Sequence, residues 1–285
     1  MDNKFLYSNY HCHSSFSDGT GSPEDIVLEA IRLGMHSIGI SEHAPLPFVT
    51  SWNMPLNKTA EYFETIQNLK LKYSKQIEIY CGLEIDYINE IFNQINQLIK
   101  TYTIDYTIGS IHFLGIKNNG EFWNTDGDAE EFGEGAEQVF ENNGEKMVEA
   151  YFSAITEMIN LLKPSIIGHI DKFRMHNVGS RYFNEESIYY KNAAIDALRA
   201  AKKNNCIIEF NTRGLYKHNG QLPYPSEWML KQMHINNIPI TVNSDSHNPN
   251  EIIKEFDTAF ALLEKAGYST HYQLQNNKWT ETPIN

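Results

Sequence analysis

Two dyads of this 285-residue chain carry metal-binding side chains at a spacing of two: His11-x-His13 near one end and Asp245-x-His247 near the other. In an extended backbone each dyad presents both side chains on the same side of a strand. Between them Glu42-His43, Glu84, His112, His169 and Glu209 each close, or follow by one or two residues, a short apolar β-like run. One histidine so placed is more simply a hydrogen-bonded core residue. Six imidazoles (His11, His13, His43, His112, His169 and His247) converging with several carboxylates are not, because every spare ring nitrogen would need its own acceptor in a crowded space. Metal coordination satisfies them together, and mixed imidazole and carboxylate donors suit zinc, manganese or iron.

Convergence requires a scaffold that collects strand ends on one face. Strand-like runs occur at Phe5 to His11, Ser37 to Ser41, Ile77 to Glu84, Tyr106 to His112, Ser165 to Ile170, Ile207 to Asn211 and Pro239 to Asn243, with helix-like stretches between them. In the first of these helices Ser22 is the cap, Pro23 suits the first turn, Asp25 occupies the capping-box position and Gly34 ends it. This βα alternation predicts an α/β fold with parallel pairing, a distorted seven-stranded TIM-like barrel in one domain spanning 1–285, with an open doubly wound sheet as the alternative. An eighth, irregular element is expected in the tail, at Tyr272 to Leu274 or Trp279 to Ile284. Residues 117–145 break the rhythm: rich in Gly, Asn, Asp and Glu, they read as a long acidic loop, either a solvated insertion or a cover for the site.

Composition narrows the function classes. A formal net charge of -13 argues against a broad nucleic-acid surface, so an anionic substrate would need locally concentrated positive charge. Cys12, Cys81 and Cys206 lack CxxC spacing and read as reduced thiols. No apolar run is long enough to span a membrane and the N-terminus has no signal-peptide pattern, so the expected location is cytoplasmic. His36, His176, His218, His234 and His271 lack strand-end placement and read as structural, although His176 and His218 lie just beyond such ends, within reach of a proton-donor role.

Taken together, Tyr10-His11-Cys12-His13, Ile40 to Pro47, Gly82 to Tyr87, Ile108 to Leu114, Ile167 to Asp171 and Asn243 to His247 resemble the polymerase-and-histidinol-phosphatase superfamily, and within it the histidinol-phosphate phosphatase branch. The resemblance runs in order from about residue 8 to residue 250. It implies a distorted seven-stranded barrel with two or three divalent ions. His11, His13, Glu84 and Asp245 would hold one, Glu84, His112 and His169 a second with Glu84 bridging, and Asp18, His43 and His247 a third. Many relatives carry histidine at the position of Asp18 and aspartate at that of Asn9, so this chain departs twice.

The implied activity is hydrolysis of L-histidinol phosphate to L-histidinol and phosphate, a step of histidine biosynthesis, by hydroxide bridging two metals. Glu84, Asp245 and His247 would be the catalytic residues, the last two as routes for the proton to the leaving group. Arg213 and Arg174 are the candidate phosphate forks, whereas Lys172 reads as a surface ion pair. Asp126, with Asp128 and Glu130, would accept the substrate's ammonium and imidazole. The partner is thus a small phosphate monoester, with no nucleic acid and no membrane. The competing readings are a broader phosphomonoesterase, a nuclease-like phosphoesterase and a non-catalytic metal-binding scaffold.

Overall fold

Strands buried on both faces read as continuous apolar runs and pair in parallel. In the computed structural model, which describes residues 7–217 and 222–284, seven such strands form one parallel sheet. Their order is β1 (Ser8–Asn9), β2 (Ser37–His43), β3 (Glu78–Asp86), β4 (Tyr106–Ser110), β7 (Ile166–Ile167), β8 (Ile207–Asn211) and β9 (Ile240–Asn243). A short antiparallel pair, β5 (Phe113–Ile116) and β6 (Phe122–Asn124), stands outside this sheet. Phe5 and Leu6 of the first expected strand, and His218, lie outside the described residues.

Side-chain alternation sorts the strands into two faces. Ile38, Ile40, Ile79, Leu83 and Ile85 pack outward, in one apolar layer with residues of α1 (Pro23–Leu33) and α2 (Thr59–Tyr73). Ile208, Phe210, Ile240 and Val242 form a second layer with α5 (Gly144–Leu162), α6 (Ile188–Asn204), α8 (Glu227–Ile235) and α9 (Phe256–Ala266). The intervening positions, among them Ser41, His43, Gly82, Glu84, Glu209 and Asn211, therefore point into the barrel. α1 begins as expected: Ser22 accepts from Asp25 N, the Asp25 carboxylate reciprocates, and Gly34 ends the helix at φ 68°.

The two edges of the sheet close through the middle residues of the dyads. Cys12 and Ser246 form a parallel bridge, His13 N donates to Ser246 O (2.8 Å), and Ser246 N donates to His11 O (3.2 Å). Residues more than 230 positions apart are thereby brought side by side, and the dyads share one rim of the barrel. Lower down, the Tyr106 ring crosses the interior and donates to Tyr10 O (2.6 Å). Gly39 and Gly82 make room for it, since a Cβ at either would stand 2.3 Å from Tyr106.

The tail carries extra elements at both expected places, and they stand outside the seven-stranded sheet: β10 (Thr270–Gln275) and β11 (Lys278–Pro283) form a separate antiparallel hairpin at the strands' N-terminal end. There Leu274 N donates to Tyr10 Oη (2.7 Å) and Asn276 N donates to Glu78 Oε2 (3.0 Å). β11 is largely exposed, whereas a barrel strand would be covered on both faces. One expectation needs correction: 117–145 is not an unstructured acidic loop. It contains β6, α4 (Ala129–Phe140) and the start of α5, with Asp128 and Asn143 capping the two helices. Glycine disguised the helix: a Cβ on Gly135 would lie 2.0 Å from the buried Trp123 ring, so close packing rather than chain reversal requires it.

Candidate metal centre

At the C-terminal rim the strand ends bring the six expected imidazoles and their carboxylates together: His43, His112, His169 and His247 line a cavity of about 380 Å³ with Glu84 and Asp245, and His11 and His13 are fully buried beside them. Four groups of donor atoms there lie close enough to hold metal ions: His11, Glu84 and His169; His11, His13 and Asp245; His43, Glu84 and His112; and His13, Asp18, His43 and His247. Glu84 is central because its two oxygens face different groups. Oε2 lies 3.1 Å from His11 Nε2 and from His43 Nδ1, while Oε1 lies 3.0 Å from His169 Nε2 and accepts from Ser110 Oγ (2.6 Å). The grouping differs from the expected one in three places: His43 reaches Glu84 and His112 as well as Asp18, His169 groups with His11 and Glu84, and His13 also lies with Asp18, His43 and His247.

The outer nitrogens of two rings are fixed by carboxylates. His11 Nδ1 lies 2.9 Å from Glu209 Oε2, and His112 Nδ1 lies 2.5 Å from Asp86 Oδ1. A carboxylate accepts, so in a neutral ring the proton sits on Nδ1 and the Nε2 lone pair faces the cavity, the usual arrangement of a metal-binding histidine. Glu209 is further held by Asn211 and Asn243, and its Oε1 accepts from His169 N (2.7 Å). Asp245 adopts φ 51°, a left-handed conformation that aspartate tolerates better than most residues, and its Oδ1 lies 3.5 Å from His13 Nε2.

Asp18 comes from a loop rather than a strand. Glu42 braces that loop by accepting from Ser14 N (3.0 Å), Ser14 Oγ (2.5 Å) and Ser17 Oγ. Asn9 serves the closure: its Oδ1 accepts from His11 N (3.1 Å) and Ser244 N (3.3 Å).

Electrostatically the site is a buried charge mosaic. Burial pushes the Glu42 carboxyl up to about 7. Burial also lowers His13 to about 4 and His43 to about 3, helped by neighbouring imidazoles. For His112, burial is overcome by Asp86, Asp126 and Glu84, which raise it to about 9. Burial opposes ionisation of Glu84 and Asp245 too, but surrounding cations and imidazoles hold both well below the usual carboxylate range.

The donor set fits divalent cations. His11 Nε2, both nitrogens of His13, His43 Nδ1, Glu84 Oε2 and Asp18 Oδ1 are buried atoms with no hydrogen-bond partner. Unpaired polar atoms are costly to bury, yet these converge on the four donor groups. A cation would satisfy them collectively.

The cationic residues are arranged differently from the sequence expectation. Residues 172–176 form a 3₁₀ turn, whose period of three puts Lys172 and Met175 on the cavity side. Arg174 is turned away: Nε donates to Glu185 Oε2 (3.0 Å) and Nη1 to Pro223 O (3.0 Å). Lys172 is thus in the cavity rather than on the surface, paired with Asp126, and although burial disfavours its charge, Asp126 and Asp245 keep it cationic. Arg213 also lines the cavity, donating through Nη1 to Asp245 O and His247 Nδ1 (both 2.7 Å). Asp126 reaches the cavity, but Asp128 caps α4 and Glu130 is exposed. His176 Nε2 lies 2.9 Å from Gly127 O, in the wall of the insertion, and His271 is buried in β10.

Asp86 and Asn211 were not singled out from the sequence, although each lies two residues beyond an inward-facing glutamate. Period two was the available signal. Among the described residues, no helix is long and apolar enough to cross a membrane.

The family model described as PHP domain matches residues 9–213. Histidinol-phosphatase of Bacillus subtilis is 31% identical over 248 residues, covering 83% of this chain and 90% of that protein. Among solved structures, a Listeria monocytogenes protein provisionally assigned as a histidinol phosphatase superposes with a TM-score of 0.74 at 26% identity, covering 88% of this chain and 99% of that one. A histidinol phosphate phosphatase from Lactococcus lactis, crystallised with zinc, L-histidinol and phosphate, gives 0.72 at 24% identity, covering 96% and 98%.

Proposed function

The chain belongs to the PHP family, and from that premise we propose that it hydrolyses L-histidinol phosphate to L-histidinol and phosphate with the help of two or three bound divalent ions, zinc foremost. The observation that carries this reading is the meeting of unpaired imidazole and carboxylate donors with two cations, Lys172 and Arg213, in one cavity. The relative from Bacillus subtilis, at 31% identity, supports the choice of substrate.

As the family resemblance implies, His11, His13, Glu84 and Asp245 would hold one ion and Glu84, His112 and His169 a second. Asp18, His43 and His247 would hold a third, and His13 lies close enough to join them. In that group Arg213 donates to His247 Nδ1, which leaves Nε2, 3.1 Å from Asp18 Oδ2, as the nitrogen that would face an ion. When bound, such ions lower the pKa of water and offset charge on phosphoryl oxygens.

The side chains supply the rest. Lys172 and Arg213 hold the phosphate dianion, and the guanidinium can offer two parallel donors. Glu209 and Asp86 fix the tautomers of His11 and His112. Water attacks phosphorus and gives up a proton to the Asp245 carboxylate, the bond from phosphorus to the ester oxygen breaks, and the leaving alkoxide takes that proton up on the Asp245 and His247 side. The test is saturable phosphate release from L-histidinol phosphate, compared with a nucleotide and an exonuclease substrate, on protein of measured metal content. Equal or faster turnover of either competitor would overturn the proposal.

A further inference from the structure

Most of the cavity wall is charged or polar; Trp52 and Met175 are its only apolar side chains among the described residues. Trp52 lies on the loop between β2 and α2, and two sets of contacts fix it. Its ring stacks on Phe113, with centroids 5.4 Å apart and planes at 22°, and Phe48 links Phe113 to Phe122. The loop is thereby held to the β5–β6 pair through an aromatic ladder.

The second set ties the same loop to the metal centre. Thr50 Oγ1 donates to Asn53 Oδ1 (2.6 Å) and accepts from Asn53 N (2.9 Å), closing a turn around Trp52. Asn53 Nδ2 donates to Ala44 O (2.7 Å) and to Asp86 Oδ2 (3.1 Å). The other oxygen of Asp86 holds His112 Nδ1. One carboxylate therefore references both a metal-centre imidazole and the turn that carries the indole.

An indole anchored on one side by stacking and fixed relative to the site of phosphate hydrolysis is a platform for a flat organic group. We propose that Trp52 is the specificity-determining contact of this site, selecting phosphate monoesters whose leaving group carries a planar ring. This rests on the phosphatase reading above and adds the residue that recognises the non-phosphate part. Asn53 is a positioning residue, acting through the turn.

Three substrates separate the two claims: L-histidinol phosphate, phenyl phosphate, which has a ring but no imidazole, and glycerol 3-phosphate, which has no ring. Trp52→Ala should lower kcat/KM about tenfold on both ring-bearing esters, mainly through KM, if the lost stacking is of ordinary size. On glycerol 3-phosphate it should stay within about twofold of the parent, which also reports an intact fold. Trp52→Phe should restore most of the loss. A fall of equal size on all three esters, or none on the ring-bearing pair, overturns the inference. If the parent protein prefers phenyl phosphate to L-histidinol phosphate, the substrate reading fails instead, and the ratio of phenyl to glycerol ester in Trp52→Ala still decides the role of the indole. A parent without turnover on any of the three overturns both.

Discussion

The two ends of the barrel treat buried polar groups in opposite ways. At the N-terminal end Tyr10 and Tyr106 bury their hydroxyls beneath the tail hairpin, and each finds a partner: Tyr10 with Ser37 and Leu274, Tyr106 with Tyr10 O. At the C-terminal end, His11, His13, His43 and Glu84 leave buried atoms without hydrogen bonds. The same strands thus run from tyrosine hydroxyls paired within the fold to a set of donors that a cation would complete. Stability and chemistry are assigned to different ends, as expected for barrels of parallel strands.

The sharpest way to break this contrast is at Glu84, whose oxygens face separate donor groups. Glu84→Gln should reduce phosphate release by at least about a thousandfold and lower the metal content measured by elemental analysis. Retained activity at full metal loading would remove Glu84 from its central place. Next in size is a comparison of arginines. Arg213→Lys should cost about tenfold to a hundredfold in kcat/KM because the fork is lost. Arg174→Lys should leave kcat/KM nearly unchanged and instead lower Tm, since Arg174 serves Glu185 and Pro223 O. A reversed ranking in steady-state kinetics would return Arg174 to the cavity.

Much of this arrangement was legible in the sequence, for local reasons. The imidazoles sit at strand ends, where β propensity and the next helix cap mark the boundary, and a parallel barrel does the rest. Lys172 and Arg174 were read in the wrong order because both are cations after the same strand, and only the period of the 3₁₀ turn distinguishes them. The closure through Cys12 and Ser246 depends on pairing across the whole chain, which no local pattern reveals. Trp52 escaped notice because its significance lies in contacts with Phe113 and in the turn tied to Asp86, all remote in sequence.

Smaller effects belong to the N-terminal end. Leu274 is almost fully buried against Tyr10, Tyr80 and Tyr106. Leu274→Ala should cost about 3 kcal/mol of stability in denaturant unfolding, while kcat of the folded, metal-loaded enzyme changes little. A matching fall in kcat would show that the two ends are coupled through Tyr10, the neighbour of His11.

The least effect, and the one that separates the ends by pH, concerns His271 in the tail hairpin. Burial lowers its pKa from 6.5 to about 4. The unfolded chain therefore binds this proton more readily than the folded one, so stability supplied by the neutral ring is complete above about pH 6.5 and lost as the pH falls towards 4. Between pH 7 and pH 5 the loss amounts to about 2 kcal/mol for this group alone. Acid also protonates the imidazoles at the catalytic rim, so the parent protein by itself mixes the two ends. His271→Gln, which keeps a polar side chain but cannot titrate, removes only the hairpin's share. Urea unfolding of both proteins at pH 7 and pH 5, at equal metal loading, should show a smaller acid loss in the variant by about that amount. Identical acid losses would mean that the hairpin contributes nothing to the pH response and that the catalytic rim carries all of it.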